Sequence, residues 1–345
     1  MFALNKKAAA YVSACLTALL LPPAAWGAEQ CTATLDGGTT IDFGNIDVLE
    51  HSAKQIPVNV TVRCETDNPA TRHFHVCLAI DGGRVGSVQP PINERYMCNL
   101  NSCGNNEKLR YNFYIDNNYS TLLGTPSHRN PTTARATLNT RINIPGGTGR
   151  RVGTESMVFY ARIEAETAVP SQKTVQPGQY QSTFLNAATA LMFEPAGNDC
   201  GALGTGDTRM PFTLQATVTK QCYVEADDLN FGSVPATTKN LRGETQMRLQ
   251  CTLGTPYTIG LTSDNAQQEG YSSMQPKSGG STGVPYSLHR SSPPDHDNRW
   301  GFAPGLRAHG QGTGTIQTYP VFGKVESADY RPGEYQDTVR IEVTY

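Results

Sequence analysis

The sequence predicts an all-β protein built as two tandem β-sandwiches, the second lacking its last strand. Three observations carry this. Gly and Pro are abundant, at 33 and 22 residues, and punctuate short apolar runs rich in Val, Thr and Tyr. A set of landmarks occurs twice along the chain. The second set stops early: copy one continues well beyond its Pro-Gly-x-Tyr, whereas Tyr345 follows Pro332-Gly333-Glu334-Tyr335 by ten residues.

The landmarks of copy one are Cys31, Phe43-Gly44-Asn45, Cys64, Tyr111-Asn112-Phe113 and Pro177-Gly178-Gln179-Tyr180. Those of copy two are Cys222, Phe231-Gly232-Ser233, Cys251, Tyr286-Ser287-Leu288 and Pro332-Gly333-Glu334-Tyr335. A chain of 345 residues accommodates two domains with their own cores. The expected division is residues 1–28 as a signal peptide, 29–220 as the N-terminal domain and 221–345 as the C-terminal domain.

At the N-terminus, Lys6 and Lys7 precede an apolar run over residues 8–21, and Pro22-Pro23 breaks it. Small residues around Ala25-Trp26-Gly27 suit cleavage near Ala28, so export is expected. Cys15 lies within the apolar run and leaves with the signal. Eight cysteines remain, an even number in an exported chain, which points to disulfides. The repeat pairs Cys31 with Cys64 and Cys222 with Cys251. Cys77, Cys98, Cys103 and Cys200 permit three pairings. In one of these Cys98 and Cys103 close a small loop and Cys77 joins Cys200.

The strands follow in order. Ile56, Val58, Val60 and Val62 alternate with polar or small neighbours up to Cys64. Phe74, Val76 and Leu78 alternate with His73, His75 and Cys77, and residues 109–115, 156–165 and 180–193 read as further strands. Met247, Leu249 and Cys251, then Val339, Ile341 and Val343, repeat the pattern in copy two.

Copy one carries two insertions relative to copy two. The first spans Val85 to Asn106 and holds Val88, Pro90, Pro91, Ile92, Tyr96, Met97 and Leu100. The second lies between about Asn117 and Arg151 and holds Tyr119, Leu122 and Leu123. Long loops on a rigid scaffold are where binding concentrates. The candidate surface-binding side chains are therefore Val88, Pro91, Ile92, Tyr96, Met97, Leu100, Tyr119, Leu122 and Leu123. Leu203 joins them from the loop Glu194 to Arg209, expected at the far end of copy one.

Met210 to Lys220 places Phe212, Leu214, Ala216 and Val218 on one face and runs directly into Cys222. This strand is expected to complete copy one in cis. Copy two has no such segment, so an apolar groove is expected there. Four or five alternating apolar side chains left wet would forfeit on the order of 10 kcal/mol. Such a groove invites strand addition by another chain. Only about three residues precede Cys31 after the expected cleavage, too few to fill a neighbour's groove in return.

The pattern Cys…Phe-Gly-Asn/Ser…Cys…Pro-Gly-x-Tyr-x-Ser/Asp-Thr resembles spore coat protein U domains, the pilin domains of archaic, Csu-type chaperone–usher pili. Both copies share it, and it is clearest in Pro332-Gly333-Glu334-Tyr335-Gln336-Asp337-Thr338. The resemblance implies immunoglobulin-like, pilin-type sandwiches and a two-domain tip adhesin that supports attachment and biofilm formation. Implied partners are a periplasmic chaperone, an outer-membrane usher, the next pilin subunit through its donor strand, and an abiotic or host surface. The implied route is secretion through the periplasm to the pilus tip at the cell surface. By the same analogy the donor-strand acceptor includes Val339, Ile341, Val343 and Tyr345. A lectin-like carbohydrate-binding adhesin and a minor adaptor or shaft subunit are the alternative readings.

No enzyme is expected and no cofactor. His73-Phe74-His75 points two imidazoles to one face without an evident third ligand. Asp295-His296-Asp297 reads as a solvated turn, and Gly310-Gln311-Gly312-Thr313-Gly314 lacks the lysine of a phosphate loop. No nucleophile elbow is recognisable. A formal net charge of -2 without a basic run provides no footprint for nucleic acid.

Overall fold

The computed structural model describes residues 29–49, 52–124, 137–164, 172–185, 189–195 and 210–345, with residues 189–195 as backbone. The expected signal peptide, Cys200 and Leu203 lie outside the described residues. Among the described residues there is no α-helix.

Copy one comprises β1 (Gln30–Leu35), β2 (Thr40–Ile46), β3 (Lys54–Thr66), β4 (Arg72–Ile80), β5 (Tyr96–Asn99), β6 (Lys108–Tyr114), β7 (Leu138–Ile144), β8 (Arg151–Ile163), β9 (Gly178–Phe184), β10 (Thr189–Pro195) and β11 (Phe212–Val218). Copy two comprises β12 (Cys222–Ala226), β13 (Lys239–Cys251), β14 (Pro256–Ser263), β15 (Tyr271–Pro276), β16 (Val284–His289), β17 (Ala308–Gln311), β18 (Ile316–Ser327), β19 (Tyr335–Gln336) and β20 (Val339–Thr344).

In copy one, a sheet in the order β1-β3-β8-β6-β5-β9-β11-β2 faces a sheet in the order β10-β4-β7. In copy two, β12-β13-β18-β16-β15-β19 faces β17-β14-β20. The two plans match strand for strand, with two differences. Copy two has no strand in the place of β11, and its Leu229–Val234, the counterpart of β2, is not a strand.

The alternation seen in the sequence becomes burial. Val58, Val60 and Val62 of β3 and Phe74, Val76, Leu78 and Ile80 of β4 point into one continuous core. The segment 180–193, expected as one run, is two strands. β9 pairs with β11 in one sheet, and β10 pairs with β4 in the other. The chain changes sheets between them, which wraps the edge of the sandwich around its core.

The first insertion is only partly a loop. β5 lies between β6 and β9, pairing Met97 with Leu109 and Cys98 with Gln181. Arg95, fully buried at its entrance, donates to the carbonyls of Asp81, Ile80 and Leu123 and lies over the Phe113 ring. It thereby ties both insertions to the core.

Disulfides join Cys31 to Cys64, Cys98 to Cys103 and Cys222 to Cys251. Cys77 is also disulfide-bonded. Cys31–Cys64 and Cys222–Cys251 occupy the same place, each linking facing residues of paired strands.

Candidate functional site

The last strand of copy one defines the site by contrast. β11 lies between β9, antiparallel, and β2, parallel. Phe212, Leu214, Ala216 and Val218 are all buried, as the alternation of Met210–Lys220 predicts. Along one edge Leu214 faces Ser182 and Phe212 faces Phe184. Along the other, Leu214 faces Ile41 and Val218 faces Ile46.

Shared local geometry fixes the counterparts in copy two. The Tyr180 hydroxyl donates to the Gln176 carbonyl at 2.6 Å, and the Tyr335 hydroxyl to the Arg331 carbonyl at 2.7 Å. Gly44 takes φ 67° and Gly232 φ 75°, the left-handed region that favours glycine. Each amide is held at 2.7 Å by the side chain two residues before it, Asp42 or Asn230. Counting from these landmarks, Ile41, Phe43, Ile46, Tyr180, Ser182 and Phe184 correspond to Leu229, Phe231, Val234, Tyr335, Asp337 and Val339.

Every apolar member of that set loses cover in copy two. Ile41, Phe43, Tyr180 and Phe184 are buried, whereas Leu229, Phe231, Tyr335 and Val339 are only partly so. Ile46 is 7% exposed and Val234 is 38% exposed. The core divides accordingly. One cluster holds Leu249, Tyr257, Ile259 and Trp300, another Val284, Tyr286 and Val325, and partly buried Leu288 and Val339 touch both. A cavity of about 330 Å³ opens beside Val339, lined in part by Leu261, Tyr286, Leu288 and Trp300. In copy one, Phe212 stacks on Phe184 at the corresponding level.

Asp337 marks the middle of this edge. Its Oδ2 accepts from Tyr286 at 2.6 Å and is reached by Ser263 and Ser272 at 2.6 and 2.7 Å. Its Oδ1 accepts from Asn265 at 2.7 Å and from the Thr338 amide at 2.9 Å. Burial alone would raise this carboxyl; its hydrogen bonds outweigh that and hold it below the usual aspartate range. Burial and the neighbouring carboxylate push the Tyr286 phenol far above its usual range.

The four residues expected to form the acceptor are distributed unevenly. Val339, Ile341 and Val343 face Ser263, Leu261 and Ile259 of β14 and pack against the core, while Tyr345 is exposed. Only Val339 falls within residues 333–339, the counterpart of the edge that β11 takes in copy one.

The expected surface side chains divide as well. Ile92, Met97 and Leu123 are buried core residues and are not available for surface contact. Met97 is inward on β5, and Leu123 donates its amide to Phe113 as its side chain enters the core. Val88, Pro91 and Leu100 are exposed; Tyr96, Tyr119 and Leu122 are intermediate. The Tyr119 ring is tied down by Gln55, Tyr114 and Arg162.

The family model of the Spore Coat Protein U domain matches residues 18–186 and 208–342. The chain belongs to the Spore Coat Protein U domain family. Two matches in one chain agree with the repeat and with its place in the fold.

Among solved structures, this family member is similar to a chain of the CsuC–CsuE chaperone–tip adhesion subunit pre-assembly complex from the archaic Csu pili of Acinetobacter baumannii. The identity is 16% and the TM-score 0.50, over 92% of this chain and 100% of that one. At that identity the likeness speaks to fold. CfaE, the adhesive subunit of CFA/I fimbria of enterotoxigenic Escherichia coli, aligns at 10% identity and TM-score 0.31, over 88% of this chain and 91% of its own. No curated protein matches.

Proposed function

We propose that this chain is a pilus subunit, a tip adhesin whose C-terminal sandwich accepts a donor strand, first from a periplasmic chaperone and then from the next pilin. The observation that carries this reading is the loss of cover along one edge. The residues that β11 buries in copy one have counterparts in copy two, Leu229, Phe231, Val234, Tyr335 and Val339, that are less buried. An edge strand with unpaired backbone groups and a wet apolar face is a template for strand addition. The acceptor edge is accordingly 333–339 on one side and 229–234 on the other, with Ile341 and Val343 forming the wall behind it.

The tip position is supported by the alignment over the whole length of a chain from a chaperone–tip adhesion subunit complex. The N-terminal sandwich, completed in cis by β11, then supplies the contact with a surface. Among the described residues of its insertions, Val88, Pro91 and Leu100 are exposed apolar side chains. Attachment and biofilm formation follow from that role, with an outer-membrane usher as the assembly partner.

Coexpression with a periplasmic pilus chaperone tests the reading. A stable one-to-one complex is expected for the full chain. Phe231→Asp, which places a charge in the groove, should abolish it, whereas Val88→Ser should leave it intact. No complex with the unaltered chain would rule out the acceptor role.

A further inference from the structure

The two sandwiches differ at one inward position on the acceptor edge. Copy one has Ser182 there, directly opposite Leu214 of β11. Ser182 is buried, and its hydroxyl donates to the Arg84 carbonyl at 3.5 Å. Copy two has Asp337, with no strand opposite it among the described residues. Its carboxylate draws on β14 through Ser263, the loop after it through Asn265, β15 through Ser272 and β16 through Tyr286. These elements belong to both sheets of copy two.

We propose that Asp337 is a positioning residue that holds the empty groove in strand-ready form, tying the two sheets together where an incoming strand has yet to do so. This rests on the donor-strand reading above. The physical reason is the cavity beside it. Ser263, Ser272 and Tyr286 line that space, which has no apolar side chain to fill it while the groove is empty. Hydrogen bonds can span the gap between the sheets when packing cannot. Five donors reach this one carboxylate, one more than its roughly four lone-pair sites, so Ser263 and Ser272, themselves 2.7 Å apart, share Oδ2 with Tyr286. Once a strand lies opposite, its side chains supply the cohesion, and a serine suffices, as Ser182 does beside Leu214.

The Asp337 contribution should therefore be large in the empty chain and small in the filled one. The full chain is compared as wild type and as Asp337→Ser, each with and without a saturating synthetic peptide of residues 210–220. Asp337→Ser should lower the unfolding midpoint of the peptide-free chain by about 5–10 °C and leave the peptide-bound chain near wild type. Peptide capture should slow by about tenfold, because fewer molecules hold a competent groove. Tyr286→Phe, which keeps the shape and removes one hydrogen bond, should give a smaller shift in the same direction. It carries the comparison should the serine variant not fold.

Equal lowering with and without peptide would overturn the proposal, since Asp337 would then stabilise the sandwich irrespective of a strand. An unchanged midpoint in the free chain would overturn it too. Failure of the peptide to bind wild type would instead remove the acceptor reading itself, and this inference with it.

Discussion

Phe212 stacks on Phe184 with ring centroids 4.4 Å apart and planes inclined by 9°. This contact seats the last strand of copy one, because Phe113 closes on both rings, at 6.0 and 5.4 Å. Phe212→Ala should destabilise the N-terminal sandwich by about 3–5 kcal/mol, the usual cost of truncating a buried aromatic. Chemical denaturation of the full chain should show the loss in the transition assigned to copy one, with that of copy two unmoved.

The Cys222–Cys251 bridge closes a loop of 29 residues' separation in the less covered sandwich. Replacing both cysteines by alanine should cost about 3–4 kcal/mol on the chain-entropy model. Denaturation under non-reducing conditions checks this. The complex with a chaperone should form more slowly in the variant, since fewer chains are folded.

His289 is buried between Ser287 and Asn298, with its Nε2 2.8 Å from the Ser287 hydroxyl and its Nδ1 2.9 Å from Asn298 Oδ1. Asn298 Oδ1 also accepts the Asp295 amide, so Nδ1–H donates and Nε2 accepts. Burial pushes the imidazole below its usual value, and nearby Lys324 adds to this. A histidine whose folded value is depressed contributes stability that is fully present above the unfolded value of about 6.5 and lost as pH falls through the folded value. The copy-two midpoint should therefore fall on acidification below about pH 6.5. His289→Gln should flatten that dependence in thermal melts recorded across the range.

Attachment should depend on the exposed insertion residues. Val88→Ser, Pro91→Ser and Leu100→Ser together should reduce binding to hydrophobic plastic severalfold while leaving the stability of copy one within about 1 kcal/mol of wild type. Met97→Ser should instead unfold copy one, because it buries a hydroxyl where a full side chain packs. Adhesion counts on coated and uncoated plastic separate these outcomes. Inhibition by a defined sugar and not by mild detergent would favour a carbohydrate pocket.

Much of the architecture was legible in the sequence, for reasons visible residue by residue. Phe212, Leu214, Ala216 and Val218 alternate, and alternation becomes burial when one face meets a core. The repeated cysteines read through because each pair bridges facing residues of neighbouring strands. The split of 180–193 into two strands did not read through, since a change of sheet leaves the alternation intact. Ile92, Met97 and Leu123 were expected at the surface because an apolar residue in an insertion looks the same whether it covers the core or faces water. β5 and the buried Arg95 decide that, and both depend on contacts distant in sequence. Asp337 was passed over within a motif. Its four side-chain partners lie on three strands and a loop, a convergence that spacing along the chain does not show.

Backbone amide exchange of the full chain, alone and in complex with a chaperone or with the 210–220 peptide, tests the central claim most directly. A strand entering the groove must pair with the edges that β11 takes in copy one. The account predicts new protection confined to residues 229–234 and 333–339, with copy one unchanged. Complex formation without added protection in either segment would contradict it.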